Sequence, residues 1–82
     1  MTTYKTTVRA TPKQDYKIDV TFSNGERGIF DITPYLGYDC YAPLKNPDIF
    51  SQVVAAHGTL MWPGEIDIAP EVVWEDSQRV FD

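Results

Sequence analysis

A β-hairpin that turns at Ser23-Asn24-Gly25 is the feature that most constrains how this chain can fold. Apolar and polar residues alternate over residues 16–22 before the turn, and a second strand-forming run follows at residues 27–32. A shift of one residue in strand pairing moves every side chain to the opposite face of a hairpin. The length of the turn therefore decides which residues form the core.

Two turn lengths give different cores. A two-residue turn at Asn24-Gly25 would pair Phe22 with Arg27 and Ile18 with Asp31, which places charged side chains on the apolar face. A three-residue loop with Gly25 in a left-handed bulge keeps that face apolar. It pairs Phe22 with Glu26, Val20 with Gly28, Ile18 with Phe30 and Tyr16 with Ile32. It also sets Lys17 opposite Asp31 on the outer face and turns Ile29 outward, so we predict this loop and a partly covered Ile29.

Another strand is expected before the hairpin. Residues 4–11 alternate with period two, which predicts that Tyr4, Thr6, Val8 and Ala10 share the buried face. Pro12 follows, and proline either ends a strand or restricts it to a sheet edge.

Short helices and strands are expected in the second half. Thr33-Pro34 begins one helical turn that Gly37 stops, and residues 37–45 are interpreted as loop. Asn46-Pro47 predicts a short helix near residues 46–53, since Asn caps and Pro occupies the first position. Two further short strands are predicted near 53–56 and 59–62, and a last helix near 70–75 begins at Pro70. The polar tail, residues 76–82, is expected to fray.

These elements predict a small α+β fold in a single domain, residues 1–82, with a three-stranded N-terminal antiparallel meander. The hydrophobic fraction is 43%, which excludes a disordered chain. There is one cysteine, Cys40, so no internal disulfide can form and a cytoplasmic location is expected. No apolar run is long enough to cross a membrane.

Negative charge is concentrated in the second half. Residues 1–45 hold six basic and five acidic residues, whereas residues 46–82 hold one basic residue and seven acidic ones. Nucleic-acid binding requires a clustered positive surface, so binding by this chain alone is not expected. The acidic part is instead suited to a basic protein partner.

Several motifs in this order resemble the bacterial family called domain of unknown function 2442. The resemblance covers residues 16–75 and is carried by residues 22–25, 30–34, 42–50, 58–63 and 67–71. The last two segments, Gly-Thr-Leu-Met-Trp-Pro and Asp-Ile-Ala-Pro-Glu, are the specific ones. Residues 64–66, Gly-Glu-Ile, depart from the Asn-Gly-Ala-like turn that the family more often has.

The resemblance implies a compact α+β domain with no established biochemical activity. Some relatives precede a helix-turn-helix DNA-binding domain, which residues 1–82 do not contain. Others stand beside small partner genes, and this arrangement implies an antitoxin-like role.

Two residue sets are candidates for chemical sites. Cys40 and His57 would need to lie within hydrogen-bond reach to act as a nucleophile and base. Asp31, Asp67 and Glu71 would need to converge to bind a divalent metal or perform acid–base chemistry. Structural roles are favoured for the acids: pairing with Lys17 for Asp31, capping of the Pro70 helix for Asp67, and interaction with the positive end of that helix for Glu71. No catalytic, metal-binding or cofactor-binding residue is therefore assigned, and a small enzyme or metal-binding domain is the alternative.

Aromatic residues supply the favoured candidate surface. Tyr35, Tyr38 and Tyr41 lie within seven residues, and tyrosine is enriched at protein interfaces. Trp74, near the acidic tail, is added to this surface, while Trp62 is expected in the core. Whether the tyrosines face a partner or seal the core is left open. We expect a non-catalytic protein-interaction or regulatory module whose partner is a basic protein or a second copy of the chain.

Overall fold

Two antiparallel sheets build the protein in the computed structural model, which describes residues 4–80. The strands are Thr7–Pro12 (β1), Lys17–Phe22 (β2), Arg27–Asp31 (β3), Val54–Ala56 (β4), Thr59–Trp62 (β5), Ile66–Asp67 (β6) and Gln78–Val80 (β7). The first sheet has the order β1-β2-β3-β7 and the second has the order β4-β5-β6. The helices Pro47–Phe50 (α1) and Pro70–Asp76 (α2) complete the predicted α+β architecture.

The hairpin of β2 and β3 has the predicted three-residue loop. Ile18 pairs with Phe30, Val20 with Gly28 and Lys17 with Asp31. The Phe22 N–H donates to the Glu26 carbonyl at 2.8 Å, and Gly25 has a φ of +89°. The apolar alternation was therefore sufficient to fix the register of this hairpin, and Ile29 is half-buried as expected.

β1 differs from its prediction because it contains a bulge. The pairing with β2 shifts between Thr7 and Arg9, so the inward-facing positions change phase within the strand. Thr7 is buried, whereas Val8, predicted to face the core, is 57% exposed. Ala10 lies after the bulge and does pack against the core, and Pro12 ends the strand at the sheet edge as predicted.

In the second sheet, β4 and β5 form the predicted tight hairpin. His57 and Gly58 both have positive φ, 53° and 79°, which matches a primed two-residue turn. α1 begins as predicted, with the Asn46 side chain accepting from the Asp48 N–H, but it ends at Phe50. The Trp62 indole donates to the Phe50 carbonyl at 3.0 Å and ties this sheet to α1.

Two segments are more regular than the sequence predicted. Residues 37–45 were interpreted as loop, but Asp39–Lys45 forms a 3-10 helix that buries Leu44. The fraying predicted for the tail is wrong for Gln78–Val80, which pairs with β3 and makes the meander four-stranded. Residues 81–82 lie outside the described part of the chain.

A single core lies between the two sheets and the helices. Its fully buried members from the first sheet include Ile18, Val20 and Phe30, and Trp62 contributes from the second sheet, as predicted. Val73 of α2 closes the core on one side. The outer face of the four-stranded sheet is polar, with Asp19 and Arg27 side chains 3.7 Å apart.

Candidate interaction surface

The segment that follows β3 carries the three tyrosines of the candidate surface. A 3-10 turn at Thr33–Tyr35 leads into it, and Asp31 accepts a hydrogen bond from the Thr33 N–H at 2.9 Å. Backbone N–H groups of Tyr38 and Tyr41 donate to the carbonyls of Tyr35 and Tyr38, respectively. We call residues 35–41 the tyrosine segment; consecutive backbone hydrogen bonds hold it in a fixed shape.

The first and last tyrosines of this segment pack against the protein. The Tyr35 ring stacks on Phe30 with centroids 5.8 Å apart and meets Tyr41 edge-on at 6.1 Å. The Tyr35 hydroxyl donates to the Asp76 carboxylate, and the Tyr41 hydroxyl donates to the Asp67 carbonyl at 3.2 Å. These two side chains therefore anchor the segment to the core and to the C-terminal part of the chain.

The middle tyrosine points to solvent. Tyr38 is 61% exposed, and Val8 and Val54 are the other exposed large apolar residues among residues 4–80. Asp39 follows Tyr38 in the chain and is exposed, as are Glu75 and Asp76 at the end of α2. We call Tyr38, Asp39, Glu75 and Asp76 the acidic tyrosine surface.

The electrostatic surroundings of Tyr35 include Asp76 and the other two tyrosines of the segment. The hydrogen bond to Asp76 raises the pKa of Tyr35 to about 12, and burial, the Asp76 charge and the two other tyrosines act in the same direction. Burial also raises the pKa of Tyr41, with smaller contributions from Cys40 and Asp67. Both anchoring hydroxyls therefore stay protonated and able to donate at neutral pH.

Trp74, the fourth predicted member of the surface, has a different environment. Its ring meets Phe22 edge-on at 4.9 Å, and the Arg79 guanidinium lies 3.9 Å from the Trp74 ring centroid. Arg79 also donates to the Glu26 carboxylate at 3.0 Å and to the Trp74 carbonyl at 2.9 Å. Trp74 thus packs under Arg79 and holds β7 in place.

Cys40 and His57 are placed apart. Cys40 borders a shallow depression with Glu65 and Ile66, near the turn that follows β5, whereas His57 lies in the turn that precedes β5. A strand of four residues separates these turns by about 10 Å. Both side chains are exposed, and no hydrogen bond joins them within residues 4–80.

The three candidate carboxylates also have separate surroundings. Partial burial opposes ionisation of Asp31, but hydrogen bonds from Thr33 and the charge of Lys17 outweigh it, so the pKa of Asp31 is lowered. The N-cap of α2 is Ala69 and no side chain caps it, so the predicted capping by Asp67 is wrong. Glu71 does lie in the first turn of α2, as predicted. Within residues 4–80 no three His, Cys, Asp or Glu side chains are grouped as metal ligands.

Sequence reasoning missed Arg79 and the strand that contains it. One sequence signal pointed to Arg79, because it is the one basic residue among residues 46–82, which are otherwise acidic. Its partners Glu26 and Phe22 could not be inferred, because they are distant in sequence. Helices of the described chain are all too short or too polar to cross a membrane.

Comparison with protein families gives a match over most of the chain. A family model described as a protein of unknown function (DUF2442) matches residues 7–79, from the start of β1 into β7. No curated protein and no solved structure matches the chain.

Proposed function

The chain belongs to the DUF2442 family, and we propose that it is a non-catalytic protein-interaction module of a bacterial cytoplasmic protein. The observation that carries this proposal is the exposed Tyr38 on a segment anchored at both ends. Tyr35 and Tyr41 are fixed by ring contacts and hydrogen bonds, so Tyr38 is presented from a pre-organised backbone. Pre-organisation lowers the entropy that binding must overcome, and tyrosine supplies a large contact area at little entropic cost.

Charge indicates the kind of partner. Asp39 follows Tyr38 and is exposed, Asp76 contacts Tyr35 of the same segment, and the whole chain carries a formal net charge of −5. Complementary charge raises association rates and suppresses wrong partners. The partner we propose is therefore a basic protein. Pairing with a small neighbouring gene product, as an antitoxin would, is the narrower form of this proposal, and it rests on the family resemblance alone.

Affinity capture from a lysate of the native host tests the proposal. The baits are the wild-type chain, Tyr38→Ala and Val54→Ala. Val54 is a matched control because it is 53% exposed and lies on β4 of the second sheet, whereas the tyrosine segment follows β3 of the first. A partner identified by mass spectrometry is then purified and titrated against each bait.

We expect a basic partner whose affinity falls roughly tenfold or more with Tyr38→Ala, as is typical of a central aromatic contact, and is unchanged with Val54→Ala. Equal affinity of the wild type and Tyr38→Ala would remove the proposed surface. A chain that dimerises through Tyr38 and captures no basic protein would also contradict the proposal.

A further inference from the structure

The sheet edges of this fold are not equally protected. Edge strands expose backbone N–H and C=O groups that can pair with another chain, and proteins block them with bulges, proline, charge or a covering segment. β1 has a bulge, ends at Pro12, and donates its Thr7 N–H to the Gly58 carbonyl at 2.9 Å. β4 lies beside β1, and β6 has only two residues.

β7 forms the other edge of the four-stranded sheet. Within residues 4–80 its one neighbouring strand is β3, and it contains no proline and no bulge. Its single charged residue, Arg79, is turned towards Phe22 and Trp74 and is paired with Glu26. No other strand of residues 4–80 pairs with the outer edge of β7, so this edge can accept a further strand.

The position of this edge suggests what binds there. Glu75 and Asp76 end α2 and lead directly into β7, and Asp76 also accepts the Tyr35 hydrogen bond. The edge strand thus begins two residues after Asp76, which contacts Tyr35 of the tyrosine segment. Complementary charge favours a basic strand, and two copies of this acidic edge would repel each other.

We propose that an extended, lysine- or arginine-rich segment of the partner binds by adding a fifth strand beside β7. Backbone hydrogen bonds to β7 supply affinity, and basic side chains on the added strand meet Glu75 and Asp76. This inference rests on the proposed function and specifies how the partner is held.

The test is a titration of the isotope-labelled chain followed by NMR. The probe is a short end-capped peptide of alternating lysine and valine. One control peptide has the same sequence with alternate backbone nitrogens methylated, which removes donors needed for strand pairing. A second control replaces every lysine by glutamate.

Two matched variants complete the design. Gln78→Lys places a positive charge on the β7 edge, and Gln14→Lys makes the same change in the exposed 3-10 turn between β1 and β2. We expect the lysine–valine peptide to shift the amide signals of residues 78–80, and methylation to weaken binding roughly tenfold because two or so hydrogen bonds are lost. Gln78→Lys should weaken binding severalfold, and Gln14→Lys should leave it unchanged.

Each other outcome overturns the inference. Equal binding of the methylated peptide, or signal shifts confined to residues 35–41, would show binding without strand addition and leave the proposed function standing. Absence of binding by the lysine–valine peptide would exclude a basic strand at this edge, while the lysate experiment would still decide the proposed function. Dimerisation through residues 78–80 in sedimentation equilibrium would assign the edge to a second copy.

Discussion

The Tyr35 hydroxyl donates a hydrogen bond to the Asp76 carboxylate and thereby joins the segment after β3 to the end of α2. The two residues are 41 positions apart in sequence, so this contact closes a large part of the chain. It also places Asp76 against the tyrosine segment.

The hydrogen bond between Tyr35 and Asp76 predicts a loss of stability at high pH. The pKa of Tyr35 rises from 10.0 to about 12 on folding, so the folded state holds this proton more tightly than the unfolded state. The stabilisation is complete below pH 10 and is lost as the pH rises towards about 12. Tyr35→Phe lacks the hydroxyl, so the stability difference between wild type and Tyr35→Phe should shrink over this range. Urea unfolding at a series of pH values measures it, and a pH-independent difference would contradict the prediction.

The hairpin loop predicts different outcomes for two glycine substitutions. Gly25 has a φ of +89°, and the space that a Cβ would occupy there is open to 4 Å, so Gly25→Ala is penalised by backbone conformation alone. We expect a loss of about 1–2 kcal/mol in the free energy of unfolding. Gly37 has equally open surroundings without a positive φ, so Gly37→Ala should change stability by less than about 0.5 kcal/mol. Equal effects of the two substitutions in thermal unfolding would argue against the left-handed Gly25.

Features with local causes could be predicted from the sequence. The alternation around Ile18 and Phe30 fixed the hairpin register, and Asn46-Pro47 located the start of α1. In both cases neighbouring residues contain the whole physical reason, namely which side chains can be buried and which can cap a helix.

Features that depend on contacts between residues distant in sequence could not be predicted. The sequence of β7 is typical of a polar tail, and it forms a strand only because β3, through Gly28, pairs with it. Arg79 contacts Phe22 and Trp74, which the fold brings together from distant parts of the chain. For the same reason, the tyrosines of the candidate surface include both packed and exposed side chains. Tyr35 packs because Phe30 and Asp76 lie beside it, whereas Tyr38 lacks such neighbours and remains exposed.

The contacts of Arg79 are expected to stabilise β7. Its guanidinium contacts two aromatic rings and donates to Glu26 and to two backbone carbonyls, a geometry that a lysine ammonium cannot reproduce. Arg79→Lys should lower the free energy of unfolding by about 1–2 kcal/mol. Hydrogen exchange should increase most at residues 78–80. Arg9→Lys on exposed β1 is the control and should be near neutral; equal exchange in both variants would show that the Arg79 contacts do not hold β7.

Two buried threonines predict stability changes of opposite sign. Thr7 is 3% exposed, and its hydroxyl has no hydrogen-bond partner within residues 4–80. Thr59 is 5% exposed, and its hydroxyl donates to the Ile68 carbonyl. A buried hydroxyl without a partner loses its hydration and gains nothing in return. Thr7→Val should therefore raise the free energy of unfolding by about 1 kcal/mol.

Thr59→Val makes the same change of shape as Thr7→Val, but it should change the free energy of unfolding in the opposite direction. It removes a donor and leaves the Ile68 carbonyl without that bond, so it should lower the free energy of unfolding by about 1–2 kcal/mol. Both residues lie in strands, at the start of β1 and of β5, so the change in strand propensity is matched. Urea unfolding of the two variants gives the comparison directly. Changes of the same sign would mean that methyl packing, and not hydrogen bonding, determines stability at these positions.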